Sequence, residues 1–582
     1  MNVLLNANDV IGAEKHTRRK PRSSAELVFG VVLLVIVAYF VIPPLGMLIY
    51  GSFVDAPPGS ASSFSFDVIK RTYGAWHTYS SLSNSIVYAL STATLVIVVG
   101  GFLAWAAERT ISVVRSIADL FVLAPILMPA VMLVSAWIML LGPGSGIVNT
   151  MLMEMLGTSR VPLNLFTMPG MIWVGTLQEL PLAFLWMWPA FRAINPALEE
   201  AALLSGASNW QVLRYITIPL LMPTIYAAWL ICFIFALGAL SVPLLLGLPS
   251  GILFYSTEIY LVTTRFPSDL NMASAYCLLY IAAAVVGLYL YRHALGDASR
   301  FVTISGRGYT PRRIDLGRWR PLVDGVVMLL LFVIAVLPML ALIWTSLMPY
   351  PQPPSLRALH QITFANFPAA LAYEPAKRAI VNSLMLGLAA GVTTTALGAA
   401  IAWFLLRTKH RRLSALLDQL ATAPIAMPGI LVGVSLLLVY IVVPLPIYGT
   451  LWILLIAYIT LHIPYSVRIC VGALSQIHKE LEEGAWMAGA TRFTAICKIV
   501  FPLIAPSLAA SALYVLLRSF REYSASIFLT GVNTEVFSVL VLDMWSGGVT
   551  VVLAAYVTMV MGLLIVAAIV FQQIGSRAGV RF

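Results

Sequence analysis

Hydrophobic positions in this chain come in runs of about twenty, separated by short polar segments. The runs lie near 27–50, 82–106, 118–141, 168–190, 223–247 and 271–291. After a basic segment at 292–320 the pattern restarts near 321–345, 380–406, 415–441, 449–472, 506–530 and 548–572. A helix of about twenty residues rises roughly 30 Å, enough to cross a hydrocarbon core. Lipid offers no partner to backbone N–H and C=O groups, so spans of this kind must be helices unless a barrel closes. The ten-residue alternation of barrel strands is not the pattern here. The expected fold is an all-α polytopic membrane protein with about twelve transmembrane helices.

The second set of runs repeats the first. Asn84-Ser85-Ile86 recurs as Asn382-Ser383-Leu384, and Ala104-Trp105 as Ala402-Trp403. Ala124-Pro125-Ile126-Leu127-Met128-Pro129 recurs as Ala423-Pro424-Ile425-Ala426-Met427-Pro428. The longest polar islands match as well. One carries Glu199, Glu200, Ala201, Ala202, Gly206, Ile216 and Pro219; the other carries Glu482, Glu483, Ala485, Gly489, Ile499 and Pro502, each offset by 283 residues. Two six-helix halves of like orientation imply a pseudo-twofold axis along the membrane normal, with a pathway where the halves meet.

Composition and charge sharpen this picture. Charged residues make up 10% of the chain, against about 25% in soluble domains, so lipid is its main solvent. With both termini cytoplasmic, 25 of the 35 Lys and Arg fall on the cytoplasmic side, islands included. The net charge of +11 is thus explained by orientation and anionic headgroups, and calls for no nucleic acid. The first run is read as an uncleaved spanning helix rather than a signal peptide. The four cysteines form no CxxC pair, which argues against a zinc site or a disulfide framework.

Each island reads as a short helix, a turn and a connector. Asn195-Pro196 is a capping residue followed by proline at the first helical position. Glu199 and Glu200 follow in the early turns, where the helix dipole favours negative charge. Leu198, Ala202 and Ser205 share one small face, as do Leu481, Ala485 and Ala488. Gly206 and Gly489 suit a left-handed stop, and Pro219 and Pro502 mark entry to the next span.

Within the spans, ionisable residues are the candidates for a solute path. Glu179 and His462 occupy matched positions, each just before a Leu-Pro or Ile-Pro pair; they either line the path or cap a helix break at the proline. Arg518, Arg521 and Glu522 cluster in the eleventh run, with Arg518 and Glu522 spaced for an i,i+4 ion pair. These three either face a cavity or form a structural salt bridge. No fixed metal site is expected from so few ligands.

The island pattern E-A-A-x3-G-x9-I-x-L-P resembles the coupling-loop motif of type I binding-protein-dependent ABC importer permeases, with Ile218 in place of Leu. The second copy departs from it at Gly484 and Phe501. One chain carrying both halves is similar to the fused permeases of ferric-iron importers, as are Leu246-Gly247-Leu248-Pro249, Thr257-Glu258-Ile259-Tyr260 and the linker Thr303–Tyr309. Thiamine and aminoethylphosphonate permeases look similar too. The resemblance implies a bacterial inner-membrane, multi-pass subunit partnered by two copies of an ABC ATPase and by a periplasmic or lipoprotein binding protein. It implies no cofactor in this chain, ATP and Mg being bound by the ATPase. No G-x4-G-K-[ST] loop occurs here, so the chain is not expected to be an enzyme.

The corresponding divisions are an N-terminal tail at 1–26, an extra helix and external loop at 27–79, and a first permease domain at 80–291. A linker at 292–320, a second extra helix and loop at 321–379, a second permease domain at 380–571 and a tail at 572–582 complete the chain. The expected solute is small, ferric iron first, with thiamine, aminoethylphosphonate or a polyamine as alternatives. A secondary transporter also has twelve spans in two halves, but has no need of paired islands. A membrane enzyme would need a catalytic His, Asp or Glu cluster inside a span, which the sequence lacks.

Overall fold

The computed structural model describes residues 24–56, 58–60, 63–111, 128–144, 146–295, 313–443 and 445–577. These residues are helical, and the only β pairing among them is two isolated bridges, Val54 with Phe64 and Thr110 with Ile314. Residues 1–23 of the N-terminal tail, Ala124–Leu127 and the linker residues Thr303–Tyr309 lie outside them.

The first half begins with α1 (Ser24–Ser52) and α2 (Trp76–Arg109), followed by the short α3 (Ala130–Leu141) and the 26-residue α4 (Met168–Ala193). The island helix α5 (Pro196–Leu204) leads into α6 (Asn209–Leu237), then α7 (Tyr255–Thr264) and α8 (Leu270–Leu295). The second half repeats the order. It comprises α9 (Gly317–Ser346), α10 (Glu374–Arg407), α11 (Arg411–Ala426), α12 (Gly429–Val442) and α13 (Leu451–Ser475). The second island helix is α14 (Lys479–Met487), followed by α15 (Ile496–Arg521), α16 (Phe537–Ser546) and α17 (Thr550–Arg577).

Among the described residues eight helices are long and apolar enough to cross a membrane, nine if α11 and α12 count as one bent span. The other three expected spans differ for separate reasons. The run at 118–141 is described only from Met128. The side chains of α17 are described only to residue 566. In α4, Gln178 and Glu179 interrupt an otherwise apolar stretch.

The single span expected at 415–441 is instead two helices meeting at 109°. Pro428 has no N–H to continue a helix and pushes Met427 into the extended region (φ −97°, ψ 110°). Pro129 precedes α3 with nearly the same backbone angles as Pro428 (φ −56°, ψ 147° against φ −57°, ψ 149°). The repeated Met-Pro thus opens a helix with the same proline conformation in both halves.

Other repeated residues also hold matched contacts. Ser85 Oγ accepts the Tyr255 N–H at 2.8 Å, and Ser383 Oγ accepts the Phe537 N–H at 2.8 Å. Asn84 donates to the Leu253 carbonyl and Asn382 to the Glu535 carbonyl. The Asn-Ser pairs thus fasten the starts of α7 and α16 to the long helices α2 and α10. The halves are also interlocked. Leu33, Val37 and Val41 of α1 pack on Ile401, Phe404 and Val467 of the second half. The Tyr39 and Tyr440 hydroxyls meet at 2.5 Å. In return, the C-terminal part of α9 packs on α3 as well as α17.

Candidate functional site

Both islands are built as their local sequence dictates. Asn195 Oδ1 accepts the Ala197 N–H at 3.0 Å, Pro196 opens α5, and Gly206 closes it at φ +90°. The Ala207 N–H reaches back to the Ala202 carbonyl, a six-residue closure that needs the left-handed glycine. The second island ends the same way, with Gly489 at φ +87° and Ala490 N–H on the Ala485 carbonyl. Ile216 and Ile499 lie in single π-turns, Leu213–Thr217 and Ile496–Val500. Each turn directly precedes Pro219 or Pro502, whose ring would crowd the carbonyl four residues back in a regular helix. The chain therefore passes from island to span through a widened turn.

The paired glutamates divide their roles. Glu200 and Glu483 are exposed, while Glu199 and Glu482 are buried. Glu199 pairs with Arg109 at 2.9 Å, and Arg109 Nε also donates to the Phe191 carbonyl at 3.1 Å. Glu482 pairs with Arg407, whose Nη2 donates to the Ile477 carbonyl at 2.9 Å. Arg109 and Arg407 are the last residues of the two 34-residue helices α2 and α10. Each island is thus tied to the end of a long span by a buried ion pair. Thr217 adds a hydroxyl bond to Glu199 at 2.8 Å; Val500 stands at the matched place in the second half. Sequence reasoning missed both arginines, although carrying the Ala104-Trp105 match four residues further reveals them. The small faces remain open: Leu198 and Leu481 are exposed, with Leu204 and Met487 beside them about 90% exposed.

The membrane-embedded candidates come together. Glu179, His462, Arg518, Arg521 and Glu522 all line one cavity of about 180 Å³ where α4, α6, α13 and α15 meet. Its two walls are matched at an offset of 283: Glu179 with His462, Leu182 with Tyr465, Phe235 with Arg518, Gly238 with Arg521, and Ser241 with Ser524. The second wall is therefore much the more polar. α4 and α13 continue through Pro181 and Pro464, so there is no helix break for Glu179 and His462 to cap. His462 is 2% exposed, and neither ring nitrogen has a hydrogen-bond partner among the described residues.

Of the two alternatives for Arg518, Arg521 and Glu522, all three face the cavity, and no Arg518–Glu522 ion pair forms among the described residues. The helix stops at Arg521, and just beyond it the Glu522 carboxylate accepts the Ala525 N–H at 2.9 Å instead. The corner at Pro428 closes against this region. A Cβ on Gly238 would lie 2.3 Å from Pro428 Cβ, and one on Gly429 would lie 2.7 Å from Glu522 Oε1. Glycine at both places lets the corner seat beside the cavity.

Comparison with known proteins accords with this arrangement. The family model described as "Binding-protein-dependent transport system inner membrane component" matches residues 86–295 and 394–579. The ferric transport system permease protein FbpB of Actinobacillus pleuropneumoniae is 25% identical over 548 residues, covering 93% of this chain and 77% of the relative. The sulfate transport system permease protein CysT of Escherichia coli is 28% identical over 198 residues, covering 31% of this chain and 70% of the relative. A solved bacterial ABC transporter involved in the import of alginate covers 48% of this chain and 96% of its own, at 21% identity and a TM-score of 0.36. With both halves matched by the family model, the chain belongs to the inner membrane components of binding-protein-dependent transport systems.

Proposed function

We propose that this chain is the membrane subunit of an ATP-driven importer. It receives a small solute from a separate binding protein and releases it into the cytoplasm through the cavity between its halves. Two copies of an ATPase, holding ATP and Mg, dock on the two islands. Closing them moves α2 and α10 through the buried Arg–Glu pairs. The observation that carries this reading is the duplicated island itself: a short helix with an open apolar face outward and an ion pair inward, present once per half. A secondary transporter has no use for such a pair of open faces. The Lys and Arg distribution supports cytoplasmic islands and termini in a bacterial inner membrane. The family match supports permease domains near 80–291 and 380–571.

Ferric iron is the leading solute, supported by a ferric permease aligned over 93% of the chain. Thiamine, aminoethylphosphonate and polyamines are the alternatives.

The test is uptake in vesicles holding the permease, its ATPase and its binding protein, with each radiolabelled solute in turn. Uptake should require ATP and survive a protonophore. Glu200→Arg reverses an exposed charge midway along the nine-residue α5, and Gly206→Val forces a β-branched residue to φ +90° at a cost of about 1–2 kcal/mol. Both should abolish ATP-coupled uptake with the chain still in the membrane. Glu483→Arg and Gly489→Val should impair it less, because that copy already departs from the motif. Normal uptake by the first pair, with the ATPase still bound, would refute the coupling role.

A further inference from the structure

The cavity's walls differ in a way that transport through a merely wet passage does not require. At five matched positions the first half lines the cavity with Leu182, Phe235, Gly238, Ala239 and Leu240, while Ile231, matched to Tyr514, stands outside the lining. The second half presents Tyr465, Tyr514, Arg518, Arg521, Glu522 and Tyr523. Tyr514, Arg518 and Arg521 stand one helical turn apart along one face of α15. A guanidinium is a donor only, and burying it without an acceptor is costly. Yet among the described residues Arg518 and Arg521 have no ion-pair or hydrogen-bond partner, and Arg521 Nε is fully buried and unsatisfied. Tyr523 Oη and both His462 ring nitrogens are likewise buried without partners. On the acceptor side, Glu522 already holds a backbone N–H. The site thus sets two guanidiniums against two carboxylates, Glu179 and Glu522, and its unpartnered donors are concentrated on one wall.

The geometry points to an oxyanion-binding subsite on the second-half wall, formed by Arg518 and Arg521 with His462, Tyr465 and Tyr514. A planar guanidinium presents paired N–H groups that match carboxylate, sulfate or phosphate oxygens. The solute that lodges here presents oxyanion oxygens to that wall. It is either a free oxyanion or a ferric ion that keeps oxyanion ligands as it passes. Glu179, on the opposite wall, faces the remainder of the complex. The inference rests on the cavity being the solute path, and the experiment separates the two.

The full chain, with Cys497 replaced by Ser and Ser524→Cys introduced at the cavity wall, is reconstituted in lipid nanodiscs. It is labelled with two methanethiosulfonates of similar size, one carrying a sulfonate and one a trimethylammonium group, and rates are divided by those of a free thiol in solution. The anionic reagent should react several-fold faster, because the guanidiniums lack acceptors on this wall whereas Glu522 already holds the Ala525 N–H. R518Q/R521Q should abolish the preference and R518K/R521K should keep it; if the double Gln variant does not reach the membrane, the single variants should each lose part of it. Slowing by sulfate or phosphate identifies a free oxyanion. Slowing by ferric citrate, with no effect of either simple anion, identifies a metal that carries its ligands. A reactive cysteine with no anionic preference, or protection by spermidine alone or by no probe at all, overturns the subsite and leaves the path standing. A cysteine unreactive to both reagents overturns the path as well.

Discussion

At the scale of single residues, the buried ion pairs say most about how this protein holds its islands. Removing one partner of a buried pair leaves a lone charge in a dry site, which costs about 3–5 kcal/mol, whereas an exposed charge is worth well under 1 kcal/mol. Arg109→Ala and Arg407→Ala should therefore lower the thermal stability of the nanodisc-embedded chain markedly, as should Glu199→Ala and Glu482→Ala. Glu200→Ala and Glu483→Ala should shift it hardly at all. The two sets of glutamates are adjacent in sequence, so equal effects would mean that the burial distinction has no energetic content. Thr217 gives the first pair one extra bond that Val500 cannot supply, so of the two glutamate losses Glu199→Ala leaves more buried groups unsatisfied.

Among the elements, the corner at Pro428 and the crossing of α1 are the departures from a simple row of spans. α1 belongs to the first half by order in the chain but packs on the core of the second. Its close approach depends on Gly30, where a Cβ would lie 2.2 Å from Phe404 Cζ. Gly30→Leu should push α1 off α10. The loss can be read as a fall in cross-linking of Tyr39→Cys to Tyr440→Cys by a bifunctional thiol reagent, since tyrosines whose hydroxyls touch leave a gap too wide for a direct disulfide between cysteines. Unchanged cross-linking would show that α1 is held from its other end. The linker adds a second tie: the Ile314 N–H donates to the Arg109 carbonyl at 2.8 Å and its carbonyl accepts from Ile111 at 3.2 Å. The segment joining the halves is therefore fastened beside the first ion pair, and Ile314 lines the small pocket around Arg109 and Glu199.

For the whole molecule, the decisive feature is one cavity shared by two similar halves with dissimilar walls. Glu179 and His462 bring one ionisable group from each half to it. Glu179→Gln with His462→Gln keeps hydrogen bonding but removes the carboxylate and the imidazole. Uptake should fall about tenfold or more, the size expected when bonds to charged groups are lost. ATPase stimulation by the loaded binding protein should largely survive if, as proposed, the pair acts on the solute and not on docking. Loss of the chain from the membrane would instead assign the pair a structural role, and unchanged uptake would remove them from the path.

Much of this was legible before any coordinates. Apolar runs specify helices in lipid because the backbone has no other partner there, and the repeat announces two halves. The island turns were also readable, since a left-handed glycine and a proline without N–H act on their immediate neighbours. The Arg518–Glu522 pair is absent among the described residues because the Glu522 carboxylate turns to the Ala525 N–H of the chain that follows the helix, which spacing alone does not reveal. Which glutamate of each pair turns inward depended on an arginine some 75 to 90 residues away. The meeting of Glu179, His462, Arg518 and Arg521 at one cavity, and the crossing of α1, depended on how helices pack against one another. In a bilayer the faces that meet other helices and those that meet lipid are alike apolar, so hydropathy does not distinguish them. The amino-acid pattern determined most of what crosses the membrane and how each island turns, but not the corner at Pro428. Only the tertiary structure decided which polar groups find partners and which are left facing the cavity.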